Sequence, residues 1–251
     1  MIKVKICGIT NAKDAQMAVE AGADALGFIF VEGTPRFIEP AVAAAIIAWL
    51  PPFVTPVGVF WDHAHGHVKA VAEQCRLGAL QFHGQEPPEA LADHRLPVIK
   101  TVKLPPASTI EGMPEYRTRE QFEALQYHKV AAAVLLDTAV PWSEGEAREP
   151  IEWRQAAMIA AVYRDKPRPR VILSGGLTPE NVARAIGIVK PYAVDVNSGV
   201  EARPGTKDPD KVRRFVVAAR SACSPAFPTR DRCPRPPDTS VASAGAMSPK
   251  R

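Results

Sequence analysis

Short apolar segments alternate with longer Ala-rich segments along the first 220 residues of the chain. Eight of the short segments are almost continuously apolar, which is typical of parallel strands covered by helices on both faces. They lie at 2–6, 24–30, 54–60, 78–82, 97–102, 131–136, 170–173 and 192–196. Stretches with helical character lie between them, for example at 11–21, 40–50, 67–76, 152–163 and 207–219.

This alternation predicts an α/β fold in which eight strands, each followed by a helix, close into a (β/α)8 TIM barrel. An open doubly wound sheet is the alternative, but it normally has fewer strands, and no G-x-G-x-x-G follows the first strand here. Asn11 and Thr178 are predicted helix N-caps. Pro40 and Pro179 are placed where a first helical turn accepts proline.

The composition changes near residue 220. The segment 221–251 is rich in Pro, Ser, Ala and Arg and has no strand or helix periodicity. Such a segment buries too little apolar surface to offset its ordering entropy. We therefore expect a catalytic barrel domain at 1–220 and a disordered tail at 221–251.

Charge and cysteine content exclude several classes of protein. Most of the net charge of +4 lies in the tail, so the body is close to neutral and no nucleic-acid partner is expected. No run of 18 uncharged apolar residues exists, and the first residues do not resemble a secretory signal, so we expect no membrane partner. The four cysteines form no C-x-x-C pair and predict neither a disulfide framework nor a zinc site. A reduced cytoplasm is the expected location.

Polar residues follow at least six of the predicted strands. In a (β/α)8 barrel the strand ends on one rim build the active site. Cys7, Arg36, His83 and Asp137 lie at or just after the first, second, fourth and sixth strands. A thiol and a carboxyl are candidates for proton transfer, and an arginine can bind a carboxylate with two hydrogen bonds. We expect His83 to contact the substrate or to hold the loops around it.

Two Gly-rich segments follow the seventh and eighth strands. They read Ser174-Gly175-Gly176-Leu177, which is predicted to open directly onto a helix, and Asn197-Ser198-Gly199. Glycine lets a backbone approach a ligand closely, and backbone N–H groups there favour a phosphate. These two loops are a recurrent phosphate site in barrels of the phosphate-binding type. The sequence therefore predicts a phosphorylated substrate.

Together, these motifs resemble the N-(5′-phosphoribosyl)anthranilate isomerase family of tryptophan biosynthesis. They are KICGIT at 5–10, GFIF at 27–30, TPR at 34–36, VGVF at 57–60, QFHG at 81–84, LLDT at 135–138, SGGLTPENV at 174–182, AVDVNSGVE at 193–201 and PG-x-KD at 204–208. They follow the family's order and span residues 3–215, whereas the tail has no counterpart in the family pattern.

The resemblance implies an Amadori rearrangement of phosphoribosylanthranilate to 1-(2-carboxyphenylamino)-1-deoxyribulose 5-phosphate. Cys7 matches the family's general base, Asp137 its general acid, and Arg36 the arginine that holds the anthranilate carboxylate. The resemblance also assigns substrate contacts to His83, Gly175, Gly176, Asp195, Asn197, Ser198 and Gly199. It implies no metal and no organic cofactor, although His63, His65 and His67 form an H-x-H-x-H run.

One segment departs from the family pattern. A Gly-rich stretch usually follows the strand-six aspartate, but residues 143–150 read SEGEAREP, with three glutamates that would repel an anionic substrate. Two alternatives remain open: a histidine-pathway phosphosugar isomerase, which uses two catalytic aspartates, and a weakly active barrel that serves as a binding partner. The sequence allows either a monomer or a homodimer.

Overall fold

A barrel of eight parallel strands forms the centre of the protein. The computed structural model describes residues 1–106, 124, 126–139, 149–164 and 168–222. The strands are β1 (Lys3–Cys7), β2 (Ala25–Ile29), β3 (Thr55–Phe60), β4 (Ala79–Phe82), β5 (Val98–Leu104), β6 (Ala133–Thr138), β7 (Arg170–Leu173) and β8 (Ala193–Val196). They pair in chain order, and β8 closes on β1. The predicted (β/α)8 barrel is confirmed, with every strand boundary within two residues of its prediction.

Helices connect the strands and cover the barrel. In the described residues they are α1 (Ala12–Glu20), α2 (Pro40–Ile47), α3 (His65–Cys75), α4 (Pro88–Ala92), α5 (Trp153–Tyr163), α6 (Val182–Val189) and α7 (Pro209–Ser221). Two elements have no counterpart in the sequence predictions: the short helix α4, and an antiparallel hairpin of β9 (Glu201–Arg203) and β10 (Thr206–Lys207). The hairpin follows a 3-10 turn, Ser198–Val200, after β8.

Two of the predicted helix starts differ in outcome. Asn11 caps α1 and accepts a hydrogen bond from the Asp14 N–H, as predicted. Thr178 was wrong as a cap, since α6 begins at Val182 with Asn181 as its N-cap. The side chain of Asn181 accepts from Thr178 N at 2.8 Å and donates to Gly176 O at 2.8 Å. These two bonds stabilise a turn, so the glycine loop does not open directly onto the helix.

Alternating side chains of each strand divide the apolar core in two. The larger part lies between barrel and helices and includes Val4 and Ile6 of β1. The smaller part fills the inside of the barrel with residues such as Val57, Ile99 and Leu135. Successive strand residues face opposite sides of a sheet, so polar residues in register with the inner set point along the barrel axis.

Helix α7 continues to Ser221, one position beyond the predicted domain boundary at 220, and the described residues end at 222. Residues 223–251 of the predicted tail lie outside the described part of the chain, as do residues 143–148 of the glutamate-containing segment. Within the described part, no helix has the length and hydrophobicity that a bilayer crossing requires.

Candidate active site

A cavity opens at the carboxyl ends of the strands, and all ten predicted site residues line it. These residues are Cys7, Arg36, His83, Asp137, Gly175, Gly176, Asp195, Asn197, Ser198 and Gly199. Cys7, Asp137 and Asp195 occupy inward-facing positions near the ends of their strands, and the other seven lie in the loops that follow the strands. The structure therefore brings the predicted set together at one place.

Cys7 lies beside a buried ion pair. Lys5 precedes it by two residues on β1 and faces the same side, and its Nζ donates to Asp195 Oδ1 at 2.8 Å. Lys5 and Asp195 are direct partners in the β1–β8 ladder. Opposite Cys7 on β2 stands Gly27, where an added Cβ would meet Cys7 Sγ at 2.6 Å and Lys5 Nζ at 3.0 Å. Glycine at this position leaves room for the thiol and the ammonium to lie side by side.

Burial and charge act in opposite directions on this thiol. Burial raises the pKa of Cys7, while the positive charge of Lys5 lowers it, and burial prevails so that the pKa lies above its ordinary value. Burial lowers the pKa of Lys5, but Asp195 and Cys7 outweigh it and raise the pKa. Lys5 is therefore a permanent cation next to the thiol, and it favours the thiolate whenever this forms.

Arg36 is part of a buried cluster of three charges, which we call the arginine cluster: Arg36, Glu201 and Lys207. Arg36 Nε and Nη2 donate to the two carboxylate oxygens of Glu201 at 2.9 and 2.7 Å. Lys207 Nζ donates to Glu201 Oε1 at 3.1 Å and to Asn197 Oδ1 at 2.9 Å. The predicted two-bond pairing of Arg36 with a carboxylate is thus made within the protein.

Asp137 faces the cavity from β6 with a histidine beside it. His83 Nε2 lies 3.4 Å from Asp137 Oδ2, and both side chains are buried. The His83 ring stacks on Trp61 at a centroid distance of 5.3 Å. Trp61 also contacts Lys103, whose Nζ lies 4.0 Å from the centroid of the Trp61 ring. The carboxyl therefore ends a row of packed side chains that reaches the rim of the barrel.

A second buried ion pair supports the loop that carries His83. Lys100 Nζ donates to Glu86 Oε2 at 2.7 Å and to Gly84 O at 2.6 Å. Glu86 Oε1 accepts from Asp62 N at 2.8 Å, and Glu86 O accepts from the Tyr127 hydroxyl at 3.0 Å. Lys100 thus lies outside the barrel, whereas Lys103, three residues on, lies on the inner face with Ile99. The pair fixes the loops after β3 and β4 to β5.

The two Gly-rich loops touch each other at their backbones. Gly175 and Gly176 have φ of +76° and +65°, a left-handed conformation that favours glycine. A Cβ on Gly199 would lie 1.9 Å from Leu177 O, so only glycine allows the loop after β8 to approach the loop after β7 this closely. The two loops therefore lie together in the wall of the cavity. Backbone N–H groups of such glycine-rich loops favour a phosphate.

Four residues at the site were missed by the predictions: Lys5, Gln81, Glu201 and Lys207. Lys5 was detectable, because a residue two positions before Cys7 on the same strand shares its face. Gln81 was detectable by the same rule, because it lies two positions before His83, and it lines the cavity. Its Oε1 has no hydrogen-bond partner among the described residues. Glu201 and Lys207 lie within the quoted motifs AVDVNSGVE and PG-x-KD, but neither was named as a site residue, because their contacts depend on the hairpin that brings them to the site.

The histidine run at 63–67 is engaged in ring contacts. His63 stacks on His67 at a centroid distance of 5.0 Å, and His65 stacks on His94 at 4.4 Å. In the part of the chain that the structure describes, no three His, Cys, Asp or Glu side chains are grouped so that they could hold a metal ion.

Several known proteins similar to this chain share one family name. The family model described as N-(5′-phosphoribosyl)anthranilate (PRA) isomerase matches residues 4–218. An N-(5′-phosphoribosyl)anthranilate isomerase of Geobacter sp. (strain M21) is 46% identical over 220 residues, which cover 88% of this chain and 98% of the relative.

Solved structures agree with the family match. The phosphoribosyl anthranilate isomerase of Thermotoga maritima has a TM-score of 0.76 at 42% identity, with 88% of this chain and 100% of that chain covered. A second structure, a phosphoribosyl anthranilate isomerase in complex with reduced 1-(o-carboxyphenylamino)-1-deoxyribulose 5-phosphate, has a TM-score of 0.73 at 41% identity and the same coverage. The barrel, the convergent site and these matches together show that the chain belongs to the N-(5′-phosphoribosyl)anthranilate isomerase family.

Proposed function

We propose that this protein converts phosphoribosylanthranilate into 1-(2-carboxyphenylamino)-1-deoxyribulose 5-phosphate, with Asp137 as general acid and Cys7 as general base. The observation that carries the proposal is that a thiol, a carboxyl, an arginine and two glycine loops meet in one cavity of a chain of this family. The histidine-pathway alternative is not supported, because its first catalytic position is an aspartate and here that position is Cys7.

In the first step Asp137 donates its proton to the ring oxygen of the ribose. The bond between that oxygen and C1 breaks, and the anthranilate nitrogen forms a double bond to C1, which gives a protonated Schiff base. His83, 3.4 Å from the carboxyl, holds Asp137 in position for this transfer. The buried site keeps water from competing for the proton.

In the second step the Cys7 thiolate takes the proton from C2 of the sugar. The electron pair left on C2 moves into the C1–C2 bond and neutralises the nitrogen, forming an enolamine that tautomerises to the ketose. C2 is oxidised and C1 is reduced within one molecule, so no external oxidant is needed. Lys5, held by Asp195, stabilises the thiolate that this step requires.

The two ends of the substrate position the sugar between these groups. Gly175, Gly176, Ser198 and Gly199 bind the phosphate through their backbone N–H groups, with Asn197 beside them. Arg36 binds the anthranilate carboxylate on the other side. Anchoring both ends lowers the entropy cost of bringing C2 and the ring oxygen to the acid and the base.

We further propose that residues 1–220 form the catalytic domain and that the protein acts in the cytoplasm on a small-molecule substrate, with no nucleic-acid or membrane partner. Cys7 and Cys75, the cysteines in the described residues, are free thiols, in keeping with a reduced compartment. All the site residues come from one chain, so a monomer and a homodimer would each carry complete sites.

A direct assay tests this function. Phosphoribosylanthranilate is generated in situ, and the loss of its anthranilate fluorescence is followed after the protein is added. A rate well above that of buffer is expected. A rate equal to that of buffer, with folded protein present, would refute the proposal and favour a barrel that only binds.

Substitution of the acid and the base tests their roles. General acid or base catalysis contributes about 100- to 10,000-fold, so Cys7→Ala and Asp137→Ala should each lower kcat by this order. Cys75→Ala is the matched control: this buried thiol lies between α2 and α3, with Sγ 3.3 Å from Pro40 O, and its loss should leave kcat unchanged. Near-full activity of either site variant would remove that residue from the mechanism.

A further inference from the structure

Arg36 lines the cavity while one edge of its guanidinium is paired with Glu201. Glu201 accepts hydrogen bonds from Nε and Nη2 at 2.9 and 2.7 Å, which occupies one side of the planar guanidinium. Of the five N–H donors of an arginine, those of Nη1 and the second of Nη2 then remain for a ligand. They form the second fork of the group, with the geometry that matches a carboxylate.

Glu201 is itself held on three sides. Its Oε1 accepts hydrogen bonds from Arg36 Nε, from Lys207 Nζ at 3.1 Å and from Gly205 N at 3.3 Å. Burial raises the pKa of Glu201, but the bond from Arg36 and the charge of Lys207 outweigh it and keep the pKa below its ordinary value. The carboxylate is therefore ionised and immobile at neutral pH.

The charges of the arginine cluster match a single carboxylate. Burial lowers the pKa of Lys207, but its Nζ donates to three acceptors, Asn197 O, Asn197 Oδ1 and Glu201 Oε1, as an ammonium group does. With Arg36 as the second cation and Glu201 as the anion, the cluster as a whole carries one positive charge in a buried place. Burying a charge without a partner is costly, and the cluster is balanced when one further carboxylate binds to the open edge of Arg36. Without Glu201, the same place would hold two uncompensated cations.

We propose that Glu201 is a positioning residue that determines substrate specificity. It orients Arg36 so that the free edge of the guanidinium binds the carboxylate on the aromatic ring of the substrate. This inference rests on the proposed function. Lys207 assists, because it fixes both Glu201 and the Asn197 side chain. The carboxylate-binding end and the phosphate-binding end of the cavity are thereby held at a constant separation.

Two ligands test the proposal in binding experiments by calorimetry. One is reduced 1-(o-carboxyphenylamino)-1-deoxyribulose 5-phosphate, and the other is the same compound without the ring carboxyl group. A charge-assisted pair is worth about 1.5–3 kcal/mol, so the wild-type protein should bind the first ligand about 10- to 150-fold more tightly. Glu201→Gln should lower the affinity for the first ligand by about tenfold or more and leave the affinity for the second almost unchanged. The ratio of the two affinities should therefore fall toward one.

Glu86→Gln is the matched control. Glu86 is another buried glutamate, as enclosed as Glu201, with a lysine at 2.7 Å, but its pair supports the loops around His83 and does not touch Arg36. Glu86→Gln should leave the ratio of the two affinities at the wild-type value. If Glu201→Gln does not fold, Glu201→Asp serves in its place, because the shorter side chain keeps the charge and withdraws the oxygens from Arg36.

The outcomes separate this proposal from the proposed function. A wild-type protein that binds neither ligand would refute both. A wild-type protein that turns over phosphoribosylanthranilate but binds the two ligands equally would refute only the proposal that Arg36, oriented by Glu201, recognises the ring carboxylate. A ratio that Glu201→Gln leaves unchanged, because both affinities fall equally or neither falls, would show that Glu201 only supports the fold and would overturn the positioning role.

Discussion

Two buried lysines lie near Cys7, and each is paired with a carboxylate. Lys5 is held by Asp195, and Lys207 by Glu201. Both ammonium groups lower the pKa of the thiol, while burial and the charge of Asp195 raise it. The pKa of Cys7 is therefore a balance of opposing effects, and among those that lower it the charge of Lys5 is the largest.

Lys5→Met tests that balance through the chemistry of the thiol. The pKa of Cys7 already lies above its ordinary value, so the thiolate fraction rises with pH on the alkaline side. Loss of the cation raises the pKa further, and the pH at which iodoacetamide alkylates Cys7 at half its maximal rate should move upward. Mass spectrometry of the peptide that contains Cys7 measures this rate, and Cys75 serves as an internal reference.

The double variant Lys5→Met with Asp195→Asn controls for an unpaired carboxylate. Asp195 raises the pKa of Cys7, so its neutralisation should bring the alkylation midpoint back toward the wild-type value. A midpoint that stays at the wild-type pH in the single variant would mean that the charge of Lys5 does not act on the thiol.

Among the elements, two contacts between loops decide the shape of the site. The loop after β8 meets the loop after β7 at Gly199, and the β9–β10 hairpin meets the loop after β2 at Gly205, whose added Cβ would lie 2.6 Å from Pro35 O. The loop after β1 also contacts the hairpin, through a hydrogen bond from the Thr10 hydroxyl to Gly205 O at 2.6 Å. The phosphate loops and the arginine cluster thus depend on backbone packing between segments that are distant in sequence.

Gly199→Ala should damage the site, and Gly187→Ala should not. An added Cβ at Gly199 overlaps Leu177 O, and forced overpacking costs about 1–3 kcal/mol. The two loops should separate, and affinity for a phosphorylated ligand should fall. Gly187 is exposed within α6 and has open space around an added Cβ, so alanine there should stabilise the protein by about 0.5–1 kcal/mol.

Urea unfolding and titration with the reduced phosphorylated ligand measure these two effects. Equal free energies of unfolding for the two variants, or an unchanged ligand affinity in Gly199→Ala, would contradict the loop contact.

At the scale of the whole molecule, helix α7 packs against α1 and β1, the first elements of the chain. Near its end Arg220 donates to Ile2 O, to Gly22 O at 3.0 Å and to Asp24 Oδ2 at 2.6 Å. These contacts join the last helix to the segments around β1, at the end of the barrel opposite the cavity. The family match ends at residue 218, close to this helix end.

A chain that stops after Ala222 should keep its activity. All site residues and the whole of α7 remain in such a chain, so kcat, KM and Tm should equal those of the full protein. A chain that stops after Ala219 is the control: it lacks Arg220 and should unfold at a lower temperature. Lower kcat in the 1–222 chain would place part of the catalytic domain after residue 222.

Much of the fold could be predicted from the sequence. The hydrophobic pattern predicts all eight strands within two residues, because a parallel strand buried on both faces needs a continuous apolar run. The start of α6 could not be predicted from Thr178, since Asn181 forms hydrogen bonds that extend the preceding turn. Helix α4 spans five residues, too few to show a helical period.

The sequence by itself determined the barrel and the rim on which the polar residues meet, since these follow from the order of the strands. Its resemblance to a known family supplied the ten predicted site residues, all of which line the cavity. Only the tertiary structure decided which charges are paired. The register of β8 on β1 places Asp195 opposite Lys5, and the β9–β10 hairpin brings Glu201 to Arg36 across 165 positions of sequence. Local patterns carry no record of such pairs, because ladder register and loop packing are set by the closure of the whole barrel.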